Sequence, residues 1–225
     1  MERIPRPGDG DGYRLRAQVM ERASKTIGEL SPQEIRELVR QKYSEVALHP
    51  RSKFKFRVGS RYAYDLGYPV DAMDTVPEVL AESFTGVSSF LARSEQFAEG
   101  ETILELGTGG GLDTALLARR VGPSGRVLGL DLSLGMAVKA NAGLGALGLS
   151  NGYSLQAEAE RIPLPDGSMD WVVSNGIFNL SPEKKEILAE MHRVLKPGGR
   201  VLCSEIVLKQ DPAPEQRNNE EDWFK

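Results

Sequence analysis

The sequence predicts an α/β protein: a doubly wound, mainly parallel sheet behind an N-terminal helical extension. Three observations carry this. Beyond residue 100, short apolar runs alternate with segments of helical period, as in a parallel sheet covered by helices on both faces. The first of those runs ends in a glycine loop that opens a helix, ELGTGGGLD at 105–113. Before residue 100, the segments with a clear period have the period of helices.

Residues 1–12 are rich in Gly, Pro and charge and read as a loose arm. SPQE at 31–34 then writes a helix start, with Ser31 as N-cap, Pro32 at the first helical position and Glu34 closing a capping box. Ile35, Leu38, Val39 and Tyr43 follow at helical spacing, which predicts a helix from Pro32 to about Val46. Residues 49–75 have no clear period. Pro77–Arg93 reads as a second helix, with Val79, Leu80, Phe84, Val87 and Leu91 as its apolar residues, although Gly86 weakens it. Strands are predicted at Thr102–Leu106, Val127–Leu130, Tyr153–Ala157, Trp171–Ser174 and Arg200–Val207, with helices at about 112–121, 133–147 and 182–195. The last helix is capped by Ser181, starts at Pro182 and buries Ile187, Leu188, Met191, Val194 and Leu195. Lys196-Pro197-Gly198-Gly199 stops it and turns the chain into the fifth strand.

At 225 residues, 40% hydrophobic and 27% charged, the chain suits one large domain or a domain with an extension. A net charge of −4 offers no basic face for nucleic acid. No apolar run approaches the roughly 18 residues that would span a membrane. The opening MERIPRPGDGDG has no apolar signal-peptide core, so a cytoplasmic location is expected. One cysteine, Cys203, excludes an internal disulfide and a cysteine-cluster metal site. With only His49 and His192 besides, no metal centre is expected.

Glycines after the first strand let the backbone pass close to a ligand, in conformations other residues resist. A dinucleotide fingerprint would need its third glycine at 112, where this chain has Leu112, and that match fails. What stands there is an acid followed by glycines at every second position: Glu105, Gly107, Gly109, Gly111. Asp131 closes the second strand, and a carboxylate there can accept from two adjacent ribose hydroxyls. Taken singly, each has a structural reading. Glu105 can be a strand-end salt-bridge partner, Asp131 a helix cap and the glycines plain turns. In order, each at a strand end, they point to a cofactor site.

These residues resemble the first motif of the class I S-adenosylmethionine-dependent methyltransferases, whose core is a Rossmann-like sheet, usually of seven strands. The resemblance implies that the loop, with Thr108, wraps the amino-acid and ribose parts of S-adenosylmethionine, that Asp131 accepts from the ribose hydroxyls and that Leu132 also contacts the cofactor. It implies an apolar contact to the adenine from Met136, and contacts from Glu158 and Ala159 in AEAERIPLPD. Asn175, at the end of the fourth strand, lies where the methyl group is presented. Tyr43, in a KYS segment, resembles a Tyr-Gly that lies over the cofactor. Residues 1–98 then form an arm and helical lid, 99–208 the cofactor-binding core, which lacks the last strands, and 209–225 a polar tail. An uncovered sheet edge would favour a homodimer.

A narrower resemblance, over about residues 34–222, is to arsenite methyltransferases and their relatives. It rests on IRELVRQKYSEVA, LGY at 66–68, PLPDGSMDWVVSN and NLSPEKKEILAEMHRVLKPGGRVL. That family holds As(III) through cysteine thiolates. Here Gly176 stands at one of those positions, ESFTGVSSF replaces the segment carrying another, and the chain ends before the third. Cys203 is expected as a buried small hydrophobe. Arsenite is therefore not the expected acceptor. A C-methyltransferase of quinone-type precursors shares AEAERIPLPD and RVLKPGG, and a cofactor-binding protein or fragment without catalysis is the alternative outside that class.

The loop VSNGIFNLS, residues 173–181, contains no acid, base or nucleophile. Methyl transfer tolerates this when the acceptor is already nucleophilic, because positioning alone can supply roughly 7–11 kcal/mol. Asn175 and Tyr43 are the candidate catalytic residues. Asn179 reads as a turn cap and His49 as a turn residue. If a base is needed, Tyr43, His49, Tyr62 and Tyr64 are the groups the N-terminal region offers.

Overall fold

The computed structural model describes residues 27–89, 96–207 and 209. Five parallel strands form one sheet: β1 (Thr102–Leu106), β2 (Arg126–Asp131), β3 (Gly152–Gln156), β4 (Met169–Asn175) and β5 (Leu195–Ser204), in the order β3-β2-β1-β4-β5. The chain runs outward from β1 to β3, then returns to place β4 on the other side of β1. The crevice at the carboxyl ends of β1 and β4 is thus the topological switch point, where open α/β sheets bind ligands.

Period-two alternation assigns the two faces. Ile103, Val127, Trp171 and Val173 meet Leu117, Ala118 and Val121 of α5 (Leu112–Val121) on one face. Leu104, Leu106, Leu130 and Val172 meet Ile187, Met191 and Val194 of α7 (Lys184–Val194) on the other. α6 (Leu134–Ala146) packs on β2 and β3.

Ahead of the sheet, α1 (Pro32–Leu48) carries the predicted capping box. Ser31 Oγ accepts from Glu34 N at 3.3 Å, and Glu34 Oε2 accepts from Ser31 N at 2.8 Å. Its buried Val46 and Ala47 pack on Met136 of α6, and Ile35, Leu38 and Val39 cluster with Leu132 and Leu180. At about 1.5–3 kcal/mol for each large apolar side chain buried, this stripe holds α1 over the sheet's carboxyl end. Lys139 adds a tether, donating to Ala47 O at 2.9 Å and pairing with Glu82 at 2.8 Å. Three short helices follow: α2 (Ser60–Asp65), α3 (Val70–Met73) and α4 (Glu78–Ala81). No helix among the described residues is long and apolar enough to cross a membrane.

Four expectations are corrected. The helix predicted at Pro77–Arg93 ends at Ala81, and residues 90–95 lie outside the described residues. Its continuation is replaced by a loop whose Val87 and Ser88 amides bond to Asn175, in the neighbourhood of Gly86, where a Cβ would meet Asn175 Nδ2 at 2.6 Å. The last helix starts at Lys184 with Glu183 at its N-cap. Ser181 instead forms a turn, accepting from Glu183 N at 3.1 Å and donating to Glu160, and Leu188 is 55% exposed. β5 spans Leu195–Ser204, with Lys196-Pro197-Gly198-Gly199 inside it as a register shift between Met169 and Trp171 of β4. Cys203 does lie in the fifth strand but is exposed. Leu202 takes the inward side of that edge strand, so its neighbours Val201 and Cys203 point out. The expected arm at 1–12 and the tail beyond residue 209 lie outside the described residues.

Candidate active site

An open cleft enclosing about 790 Å³ lies at the switch point. Gly107, Gly109, Asp131, Leu132, Ala159 and Asn175, all expected site residues, line it. The loop is anchored to β2, since Gly107 N and Thr108 N both donate to Leu130 O, at 2.8 and 2.9 Å. Asp131 then ties strand to loop: its Oδ2 accepts from Gly109 N at 2.9 Å and its Oδ1 from Ser133 N at 2.8 Å. A carboxylate has about four lone-pair positions, so each oxygen keeps capacity for a ligand hydroxyl. Burial raises Asp131 to about 6, against the pull of those two N–H groups.

Glu105 is 1% exposed, beneath the loop, where it accepts from Thr114 Oγ1; Thr108 and Thr114 hydroxyls lie 2.6 Å apart. Burial, then the neighbouring Asp113, raises Glu105 well above the usual carboxylate range. A smaller cavity of about 330 Å³ opens there, lined by Thr85, Gly86, Glu105, Gly109, Asp113 and Asn175. It shares Thr85, Gly107, Gly109 and Asn175 with the main cleft. The two spaces therefore adjoin, with Glu105 and Asp113 lining the smaller and Asp131 the larger.

Asn175 is a clasp. Its Oδ1 accepts from Val87 N (2.8 Å) and Ser88 N (3.1 Å), and its Nδ2 donates to Ser88 O (2.9 Å) and Asp113 Oδ2 (3.0 Å). The amide is fully occupied, so it shapes the cleft wall. Tyr43 lines the cleft, stacked on Phe56 at 6.0 Å, with its hydroxyl pKa raised by burial and by Asp131. Near neutral pH it therefore stays a neutral phenol, which can donate a hydrogen bond and cannot serve as a base.

Three expected residues stand elsewhere. Met136 is fully buried under α1 and does not line the cleft. Gly111 lies against α6, where a Cβ would meet Ala140 Cβ at 2.7 Å. Glu158 is at the rim, 3.8 Å from Arg36 Nε, and is outside the lining. His49 is the exposed C-cap of α1, donating its N–H to Glu45 O.

Sequence reasoning missed Arg36, Asp113 and Glu205. Arg36 reaches over the cleft to Glu158 and Glu183, and its position was readable: 36, 39 and 43 are one helical face, and Arg36, Val39 and Tyr43 all line the cleft. Asp113, in the first turn of α5, accepts from Tyr68 and Asn175; burial raises it to about 6. Glu205 holds the loop after β4, accepting from Ile177 N (3.3 Å), Phe178 N (3.1 Å) and Ser174 Oγ (3.2 Å). No local pattern marks it, because its partners are about 30 residues away.

A glycine loop at the switch point, with Glu105 buried near the end of β1 and Asp131 at the end of β2, marks a doubly wound α/β fold with a candidate ligand cleft at its carboxyl edge. Comparison with known proteins narrows it. A family described as Methyltransferase domain matches residues 97–224. A Halobacterium salinarum protein named arsenite methyltransferase is 33% identical over 196 residues, covering 80% of this chain and 49% of its own. A Lactococcus lactis protein named demethylmenaquinone methyltransferase is 44% identical over 107 residues, 47% of this chain and 42% of its own. The solved structure of MccD protein, 19% identical, has a TM-score of 0.50 over 56% of this chain and 55% of that one, which supports the fold alone. The chain belongs to the class I S-adenosylmethionine-dependent methyltransferases. It spans about half or less of the length of these curated relatives.

Proposed function

We propose that this chain binds S-adenosylmethionine across the cleft and the cavity under the glycine loop, and transfers its methyl group to a small molecule. Asp131 carries the reading: a buried carboxylate at the strand tip, bonded to the loop it faces and open to the cleft. Bound there, the cofactor supplies a methyl group on a sulfonium, whose loss as a neutral thioether needs only an electron pair from the acceptor. Asp131 would take ribose hydroxyls, Gly107 and Gly109 the close approach, and Leu132 and Ala159 the apolar flank. Glu105 and Asp113 would face the ammonium, whose charge would pull both acids back toward ionisation. α1 acts as a lid, with Arg36, Val39 and Tyr43 facing the cleft.

Arsenite is disfavoured as the acceptor, because the one cysteine lies exposed on β5 and lines no part of the cleft. The quinone-precursor alternative draws on the 44% identity to a demethylmenaquinone methyltransferase, over less than half of this chain. The test is thermal. A ligand at 100 times its Kd stabilises by about 2.7 kcal/mol, so S-adenosylhomocysteine in that excess should raise the Tm by several degrees and NADH should not. A folded protein whose Tm ignores S-adenosylhomocysteine would refute the reading.

A further inference from the structure

The loop after β4 closes one wall of the cleft, and Glu205, just beyond β5, holds that loop. Asn175 ends β4, and Gly176 turns the chain with φ +85°, a left-handed conformation that favours glycine. Gly176 N donates at 2.8 Å to the carbonyl of Ser204, the last residue of β5. The next two amides point at one carboxylate: Ile177 N donates to Glu205 Oε1 at 3.3 Å and Phe178 N to Oε2 at 3.1 Å. Ser174 Oγ adds a third donor, to Oε1 at 3.2 Å. Successive backbone N–H groups turned to one side form an anion-binding concavity. Here the anion is a side chain of the protein itself, and beyond it Leu180 N donates to Ile177 O at 3.0 Å to complete the turn.

Gly176, Ile177 and Leu180 of this loop line the cleft. A Cβ on Gly107 would overlap Ile177 Cγ2, so the isoleucine methyl packs over the bare face of that glycine. On the loop's other side, a Cβ on Gly176 would meet Val87 Cγ1 at 3.0 Å. The loop is thus wedged between the glycine loop and the segment at 87–88, and its position sets the width of the cleft. Glu205 itself lines neither the cleft nor the cavity under the glycine loop. Its hold on the cleft runs through the backbone of Ile177 and Phe178. Hydrogen bonds to an ionised acceptor are roughly twice as strong as neutral ones, which suits a carboxylate to that task.

We propose that Glu205 is a positioning residue for methyl transfer: it fixes the loop that seats Ile177 on Gly107, and so sets cofactor affinity from outside the cleft. The proposal rests on the methyltransferase reading above. Glutamine at this position has the same shape, but one carboxylate oxygen becomes an amide nitrogen, which donates and cannot accept. That nitrogen would face a loop N–H that also donates. One of the two amides then loses its acceptor, and Ile177 leaves its seat.

The experiment is calorimetric titration of the full chain with S-adenosylhomocysteine. Glu205→Gln should weaken binding about five- to tenfold, the size of one lost charge-assisted hydrogen bond. Ile177→Ala should weaken it as well. The double variant should bind within about twofold of the weaker single one, because both changes break the same chain of contacts. Asp170→Asn is the comparison: Asp170 accepts from Thr102 N at 2.8 Å and pairs with Lys196, at the opposite end of β4. That variant should lower the Tm and leave the affinity within about twofold of wild type. Amide exchange reads the loop itself, and Ile177 and Phe178 should exchange at least about tenfold faster in Glu205→Gln while β1 is unchanged. Wild-type affinity or unchanged exchange in Glu205→Gln overturns the proposal. So do losses that multiply in the double variant, or an equal loss in Asp170→Asn. Failure of the wild type to bind S-adenosylhomocysteine would instead sink the cofactor reading, and this proposal with it.

Discussion

Asp113 and Asp131 show how the site holds charge before any ligand arrives. Both are buried, and burial lifts each to about 6. The unfolded value is near ~3.9. An acid raised on folding contributes stability below its unfolded pKa and loses it as pH climbs through the folded one. Above about pH 6, then, each buried charge costs about 2–3 kcal/mol. Asp113→Asn can keep its contacts, with its amide nitrogen donating to Tyr68 Oη, the Tyr68 hydroxyl donating to Ser88 O at 3.2 Å, and its oxygen accepting from Asn175. Denaturant unfolding of the ligand-free protein should show the variant gaining about 2–3 kcal/mol on wild type between about pH 4 and pH 6.5. A pH-independent difference would mean that Asp113 is not the buried charge described here. Residues of this kind were only partly legible. Asp131 and Glu105 announced themselves as strand-end acids, whereas Asp113, Arg36 and Glu205 gain their roles from partners that folding brings close.

At the scale of elements, legibility followed how local the forces were. α1, with a capping box and an unbroken apolar stripe, has the boundaries and the buried face its sequence wrote, ending two residues beyond Val46. β1 matches residue for residue. The segment after Pro77 did not, because its apolar spacing competes with a clasp made by Asn175, nearly 90 residues on. In the glycine loop the residues look alike in sequence and differ in space. Gly111 (φ +94°) abuts α6, with the Ala140 Cα only 2.9 Å from where a Cβ would stand. Gly109 (φ +53°) faces open space and gives its N–H to Asp131. Gly111→Ala should therefore cost roughly 2–4 kcal/mol of stability, from strain plus a backbone clash. Gly109→Ala should cost only about 1–2 kcal/mol and act chiefly on cofactor affinity. Paired unfolding and S-adenosylhomocysteine titrations separate the two. Equal stability losses would contradict the packing assigned to Gly111.

For the whole molecule, α1 packs on α6, which covers β2 and β3, so helix and sheet form one unit around the switch point. α1 lies across α6 and presents Arg36, Val39 and Tyr43 to the cleft, whose wall Gly176 and Leu180 share with a second space lined by Phe56 and Tyr62. The fold class was legible because alternation of strands and helices is a chain-wide pattern. The grouping of Phe56 and Tyr62 with residues 176–180 was not, since both aromatics fall in a stretch without period and meet that loop only in the folded chain. The central claim is that this assembly is a cofactor site governed by Asp131. Calorimetric titration of wild type and Asp131→Ala with S-adenosylmethionine tests it most directly. Micromolar binding by wild type, weakened at least about tenfold or ~1.4 kcal/mol in the variant, is the predicted result. No binding by the folded wild type, or equal affinity in Asp131→Ala, would contradict it.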